Sequence, residues 1–134
     1  MKEEIKKIFA GEVMDDGETL AKYSRDASIL SVRPQVVVFP QDKEDVKNLV
    51  QWVNENGSRQ DLLHKYGKLS ITARCAGTDM SGGAIGESII MDFSRYMNKL
   101  VGGPLPMSKS TWSITVEPGM FYRDFEKITL AKGL

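Results

Sequence analysis

Apolar positions in this chain gather into short runs that differ in periodicity, and the differences predict its elements. Gln35-Val-Val-Val-Phe39, closed by Pro34 and Pro40, is a continuous β-branched run of the kind that forms a strand buried on both faces. Asp42 follows as a helix cap, with Glu44 and Asp45 in the first turn and Val46, Leu49, Val50 and Val53 at i, i+3, i+4 and i+7. Asn56-Gly57 ends that helix. Leu69 to Arg74 alternates Leu69, Ile71 and Ala73 against Ser70, Thr72 and Arg74, a second strand, and Ser88 to Asp92 reads as a third. Trp112 to Glu117 predicts a fourth strand, Pro118-Gly119 a turn, and Phe121 to Lys132 a helix stopped by Gly133.

The remaining stretches are polar or rich in glycine. Residues up to about Ile29 read as a short amphipathic helix, a turn at Gly17 and a second helical piece at Thr19 to Ser24, a helical lead-in (1–30) at the domain edge. Ser58 to Lys68, which holds His64 and Tyr66, predicts a loop with one helical turn, and Asn98 to Ser110, with Gly102-Gly103-Pro104 and Pro106, an irregular connection. The resulting order is strand, helix, strand, glycine-rich loop, strand. That order argues for α/β, βαβ-type construction around parallel strands.

Composition narrows the function. A chain of 134 residues with 41% hydrophobic and 27% charged residues has the balance of a folded globular unit. Lys plus Arg equals Asp plus Glu at 18 each, so no global field draws a nucleic acid or an anionic membrane. Cys75 is the only cysteine, which rules out an intrachain disulfide, and no Cys/His cluster has metal-ligand spacing. Neither a signal peptide nor a run near the ~20 apolar residues of a membrane span is visible, so a cytoplasmic location is expected.

The candidate chemistry lies in Arg74-Cys-Ala-Gly-Thr-Asp-Met-Ser-Gly-Gly83. A pyrophosphate needs several backbone N–H groups aimed into one concavity, and glycine, lacking Cβ, accepts φ > 0 and lets the anion approach the main chain. Thr78 and Ser81 add hydroxyl donors, while Arg74 either contributes charge or caps the loop. By composition alone, a tight connection without a ligand is an equal alternative. Neither G-x-G-x-x-G nor G-x-x-x-x-G-K-[ST] is present, which argues against nicotinamide-binding and P-loop readings.

Five motifs in succession carry a resemblance: Pro34 to Pro40, Glu44-Asp-Val46, Arg74 to Gly83, Ile90-Met-Asp-Phe-Ser-Arg-Tyr-Met-Asn98, and Val116-Glu-Pro-Gly119. Together they resemble the FAD-binding domain of the vanillyl-alcohol oxidase/p-cresol methylhydroxylase family (PCMH-type). Tyr23-Ser-Arg-Asp-Ala-Ser28 is similar to the lead-in of its glycolate oxidase subunit and D-lactate dehydrogenase branch.

The resemblance implies the first, βαβ-type subdomain of such a domain, an α/β unit that is α+β overall, over residues 31–134 with the start of a second subdomain, truncated at its C-terminal end. It implies FAD as cofactor, held non-covalently by Arg74, Cys75, Ala76, Gly77, Thr78, Asp79, Met80, Ser81, Gly82 and Gly83, with Glu117, Pro118 and Gly119 near the adenosine half. Thr78 occupies the position where some members bond a histidine to the flavin. Enzymes of this kind pass a hydride from a 2-hydroxy acid or similar alcohol to the flavin, whose chemistry belongs to the cofactor. Cys75 stands where the family usually has glycine and fits as a small space-filler. Asp79 stands where serine or asparagine is usual, and a carboxylate beside a diphosphate costs energy unless it turns away or accepts from backbone N–H groups.

Several further expectations complete the reading. Asp92, Arg95 and Asn98 fix the chain's exit from a buried strand, Trp52 packs, and His64 is solvated. No catalytic residue and no metal ligand is assigned, and the chain alone is expected to be inactive. The 2-hydroxy acid site needs parts beyond this chain, and the truncated edge promotes self-association. The alternative is a cofactor-free interaction or scaffold module that kept the fold.

Overall fold

The computed structural model describes every residue except Lys109 and Leu134. Those two, which fall in the expected connection and at the end of the expected domain, lie outside the described residues.

The lead-in is not purely helical. It runs as α1 (Lys2–Ile5), strand β1 (Glu12–Met14) and α2 (Gly17–Tyr23), the last capped by Asp16, whose carboxylate accepts from Thr19 N–H at 2.9 Å. Only Val13 of β1 is buried, so so short a segment leaves no alternating pattern to read. Next come β2 (Val36–Phe39), α3 (Lys43–Asn56), α4 (Gln60–Tyr66), β3 (Ile71–Arg74) and β4 (Ile89–Asp92). The loop expected at Ser58 to Lys68 is thus a two-turn helix, anchored by Leu62, its buried residue.

These strands form one sheet in the order β1-β2-β4-β3, with β1 antiparallel to β2, and β2, β4 and β3 mutually parallel. The two central strands are buried at every position. The pleat sends their side chains to two cores. Val36, Val38, Ile89 and Met91 meet Ile5, Phe9, Val13 and Leu49 on one face, while Val37, Phe39 and Ile90 meet Leu20 and Tyr23 of α2 on the other. Helices therefore cover both faces, which explains why β2 is a continuous apolar run.

Helix α3 begins as expected at Asp42, which accepts from the N–H groups of Glu44 and Asp45, but its stripe differs. Val50 is 50% exposed, while Asp45 is buried and accepts from the N–H groups of Ala10, Gly11 and Gln41 at 2.7, 3.0 and 2.9 Å. A carboxylate that satisfies three amides is tolerated inside because its lone pairs are filled.

Beyond residue 97 the chain makes a separate two-stranded sheet of β5 (Leu100–Pro106) and β6 (Trp112–Val116), then α5 (Tyr122–Leu130). The expected irregular connection is mostly β5. Its Gly102-Gly103-Pro104 interrupts the register without ending the pairing, as an irregular antiparallel ladder allows.

Candidate functional site

Parallel strands β3 and β4 are neighbours, yet residues 75–88 connect them without a helix. The second half of that crossover packs down through buried Ala84, Ile85 and Ser88, and the first half stays at the surface beyond the carboxyl end of β3. Ligand sites of open α/β sheets lie at such strand ends.

The surface half is a nest built around one anion, and the chain supplies that anion itself. The Asp79 Oδ1 accepts from Ser81 N–H at 2.6 Å, Gly83 N–H at 3.0 Å and the Ser81 hydroxyl at 2.8 Å. Chiefly through the Gly83 amide, then the Ser81 hydroxyl and amide, this holds the Asp79 carboxyl below the ordinary aspartate range. Gly77 and Gly82 have φ of 67° and 88°, and a Cβ at Gly77 would collide with the Arg74 guanidinium. The carboxylate thus folds the loop on itself, with the Ser81 and Gly83 amides converging on one anionic oxygen.

Arg74 does not point into the nest. Its Nη1 donates to the carbonyls of Arg25 (2.8 Å) and Ala84 (3.1 Å), and its guanidinium lies 5.0 Å from the Tyr23 ring centroid, so it caps the loop from behind. The segment after α2 also reaches the loop: Asp26 accepts from Ala84 N–H at 3.3 Å, and a Cβ at Gly82 would meet Leu30.

Cys75, Ala76 and Thr78 line a groove of about 590 Å³ whose opposite wall is Met120 to Asp124 with Lys127. Burial pushes the Cys75 thiol up, which disfavours its thiolate form. Met80 is 84% exposed, outside this groove. Glu117, Pro118 and Gly119 form the hinge into the second wall. The Glu117 N–H donates to the Lys99 carbonyl and its carboxylate accepts from Lys99 N–H, Gly119 donates to the Met97 carbonyl, and a Cβ at Gly119 would run into the Phe93 carbonyl. The structure therefore brings Cys75, Ala76 and Thr78 together at the groove and Asp79, Ser81 and Gly83 at the nest, and it sets 117–119 beneath the wall. Phe121, Tyr122 and Lys127 of that wall carried no local signal, because only the long-range docking of α5 places them there.

The FAD binding domain pattern matches residues 34–134, three-quarters of the sequence. The chain belongs to the FAD binding domain family. This FAD binding domain is 33% identical over 91 residues to D-2-hydroxyglutarate dehydrogenase of Escherichia coli, a match covering 63% of this chain and 8% of that protein. The corresponding enzyme of Pseudomonas putida is 29% identical over 93 residues, 69% of this chain and 8% of the relative. The chain thus spans about 8% of the length of the curated relatives it matches. Among solved structures, alkyldihydroxyacetonephosphate synthase superposes with a TM-score of 0.64 at 24% identity, covering 98% of this chain and 24% of that one. For p-cresol methylhydroxylase with substrate bound, the values are 0.62, 19%, 91% and 22%. The PCMH-type α/β fold inferred from the five motifs is therefore the fold of this FAD binding domain, and FAD is its cofactor type.

His64 is exposed on α4 and does not line the groove. Asp92 accepts from the Tyr23 hydroxyl at 2.6 Å and from Ser94, Arg95 pairs with Glu12, and Asn98 donates to the Ser94 carbonyl, which gives all three structural work. Trp52 packs against the core. No helix among the described residues is long and apolar enough to cross a membrane.

Proposed function

We propose that this chain holds the diphosphate of FAD in a flavin-dependent oxidoreductase acting on a 2-hydroxy acid. The observation that carries the reading is the convergence of the Ser81 and Gly83 amides on one anionic oxygen beside an apolar-walled groove. D-2-hydroxyglutarate dehydrogenases among the relatives support the substrate class.

When bound, FAD supplies the hydride acceptor. The residues of this chain bind and orient it. Ser81, Gly82 and Gly83 offer N–H groups to the phosphates, Thr78 offers a hydroxyl, and Arg74 keeps the loop in shape through two carbonyls. Cys75 and Ala76 on one wall and Met120 and Phe121 on the other would shield the bound cofactor from water. Glu117, Pro118 and Gly119 aim the second wall toward the adenosine half. We assign residues 1–30 to a lead-in and 31–134 to the first part of the FAD binding domain, and no catalytic base to this chain. Attachment is non-covalent, since Thr78 stands where covalent members of the family carry the flavin-bonding histidine. The lone cysteine is compatible with a reducing, cytoplasmic setting.

The second reading, a scaffold that kept the fold without cofactor, draws on Asp79 already occupying the nest. Flavin absorbance of the protein equilibrated with FAD, for wild type and Gly77→Val, separates them. At φ 67°, a β-branched residue is strained and drives into Arg74, so retention should fall at least about tenfold. Undiminished flavin in a folded Gly77→Val protein removes this loop from the site, and absence of flavin in wild type at millimolar FAD favours the scaffold. The bound flavin should also leave the protein on acid precipitation.

A further inference from the structure

The diphosphate reading above leaves a conflict at its centre. A phosphate oxygen and the Asp79 carboxylate cannot both take the Ser81 and Gly83 amides, and two anions a few ångströms apart repel. We propose that Asp79 is a built-in competitor seated in the nest the diphosphate must enter, and that it sets the affinity of this loop for FAD.

Three features make the competition specific. The carboxylate sits tightly on the loop, since a Cβ at Gly83 would lie 3.1 Å from Asp79 Oδ2. No ion pair among the described residues engages it, since Arg74 donates instead to the carbonyls of Arg25 and Ala84. A second carboxylate, Asp26, already holds the next amide, that of Ala84, so two negative groups border the same short run of backbone. Asp79 is nonetheless fully exposed on an irregular segment, so rotation of its side chain toward water frees the nest without disturbing the core. Cofactor entry is then an exchange of one charge-assisted set of hydrogen bonds for another, and the net gain is smaller than an empty nest would give. A ligand without phosphates meets no such competitor.

The test follows backbone amide resonances of the ¹⁵N-labelled 134-residue chain. Wild type, Asp79→Asn and Asp79→Ser are titrated with inorganic pyrophosphate, FAD and riboflavin. Asparagine keeps the size and one acceptor oxygen but removes the charge, and serine empties the nest, so the two do not share one way of failing. The expected result is that both variants bind pyrophosphate and FAD at least about tenfold more tightly than wild type, with serine at least as tight as asparagine, while riboflavin affinity is unchanged. Equal or weaker diphosphate binding by the variants, with resonances outside the loop unmoved, overturns the proposal and leaves the cofactor reading standing. If wild type and both variants ignore pyrophosphate and FAD up to about 10 mM, the nest is no cofactor site, and the functional reading falls together with this one.

Discussion

The two sheets of this molecule obey different rules. In the four-stranded sheet, every position of β2 and β4 is buried and helices lie over both faces, so the unit completes its own core. In the β5–β6 ladder and α5, no helix residue is buried, and Val101, Leu105, Met107, Trp112, Phe121, Tyr122 and Leu130 stand exposed. The groove has one wall from each. Its first wall is therefore fixed by a finished core, while the second is held by backbone bonds at 97–120 and by little apolar contact. A cofactor that bridges them gains one preorganised partner and must order the other, which costs free energy on binding.

The largest expected effect is a direct test of that contrast. Leu49→Ala in α3 empties a fully buried site and should cost about 2–5 kcal/mol in urea unfolding, whereas Leu130→Ala in α5 should stay within about 0.5 kcal/mol. Comparable losses at the two leucines would mean that α5 is packed as firmly as α3.

Next in size is Tyr23→Phe. The Tyr23 hydroxyl, its ionisation suppressed by burial and then by Asp92, is a buried donor at 2.6 Å that ties α2 to the end of β4. Removing it leaves a buried carboxylate oxygen short of one partner, at a cost of about 1–3 kcal/mol by the same denaturation. Hydrogen exchange should quicken in α2 and β4 and stay unchanged in β5 and β6.

The apolar face of the second unit leads to a third expectation. At high concentration the isolated chain should self-associate, because exposed apolar patches drive association. Trp112→Lys, on a residue 48% exposed, should shift sedimentation toward monomer by severalfold in the association constant. A chain that is monomeric throughout would show that this face is too small or too polar to pair.

How far the sequence could be read follows the same division. Strand β2 and the start of α3 were legible because a β-branched run between prolines and an Asp cap are local signals. Helix α4 was hidden by its polarity, since one buried Leu62 is too little for a periodic pattern, and β5 was hidden by Gly102-Gly103-Pro104. The glycine loop announced itself by composition. Its wiring did not: that Asp26 and Leu30 back the loop, or that Phe121 faces Cys75, depends on contacts across 40 or more positions. Asp79 was legible as an oddity, and only the geometry shows which amides it holds.

The smallest expected effect is also the most local, and it sharpens the comparison at the edge of the first wall. Asp79 is held below the ordinary aspartate range by Gly83 and Ser81, and Asp26 is likewise lowered, first by the Ser28 hydroxyl and less by the amides of Ser28 and Ala84. Both groups bind fewer protons folded than unfolded. Their contribution to the loop is therefore complete above the unfolded aspartate value of about 3.9 and is lost as pH falls through the lower folded values. The loop should accordingly stay locked at pH 5 to 7 and open only in strong acid, with the Ser81 and Gly83 amide resonances following Asp79 and the Ala84 resonance following Asp26. Asp79 itself opposes the lowering of Asp26, so Asp79→Asn should abolish the first titration and move the second to lower pH. Amides of β5 and β6 should show no matching inflection, since neither carboxylate touches them. A Ser81 or Gly83 inflection at or above the ordinary value of about 3.9 would mean that the carboxylate is not held by these amides in solution.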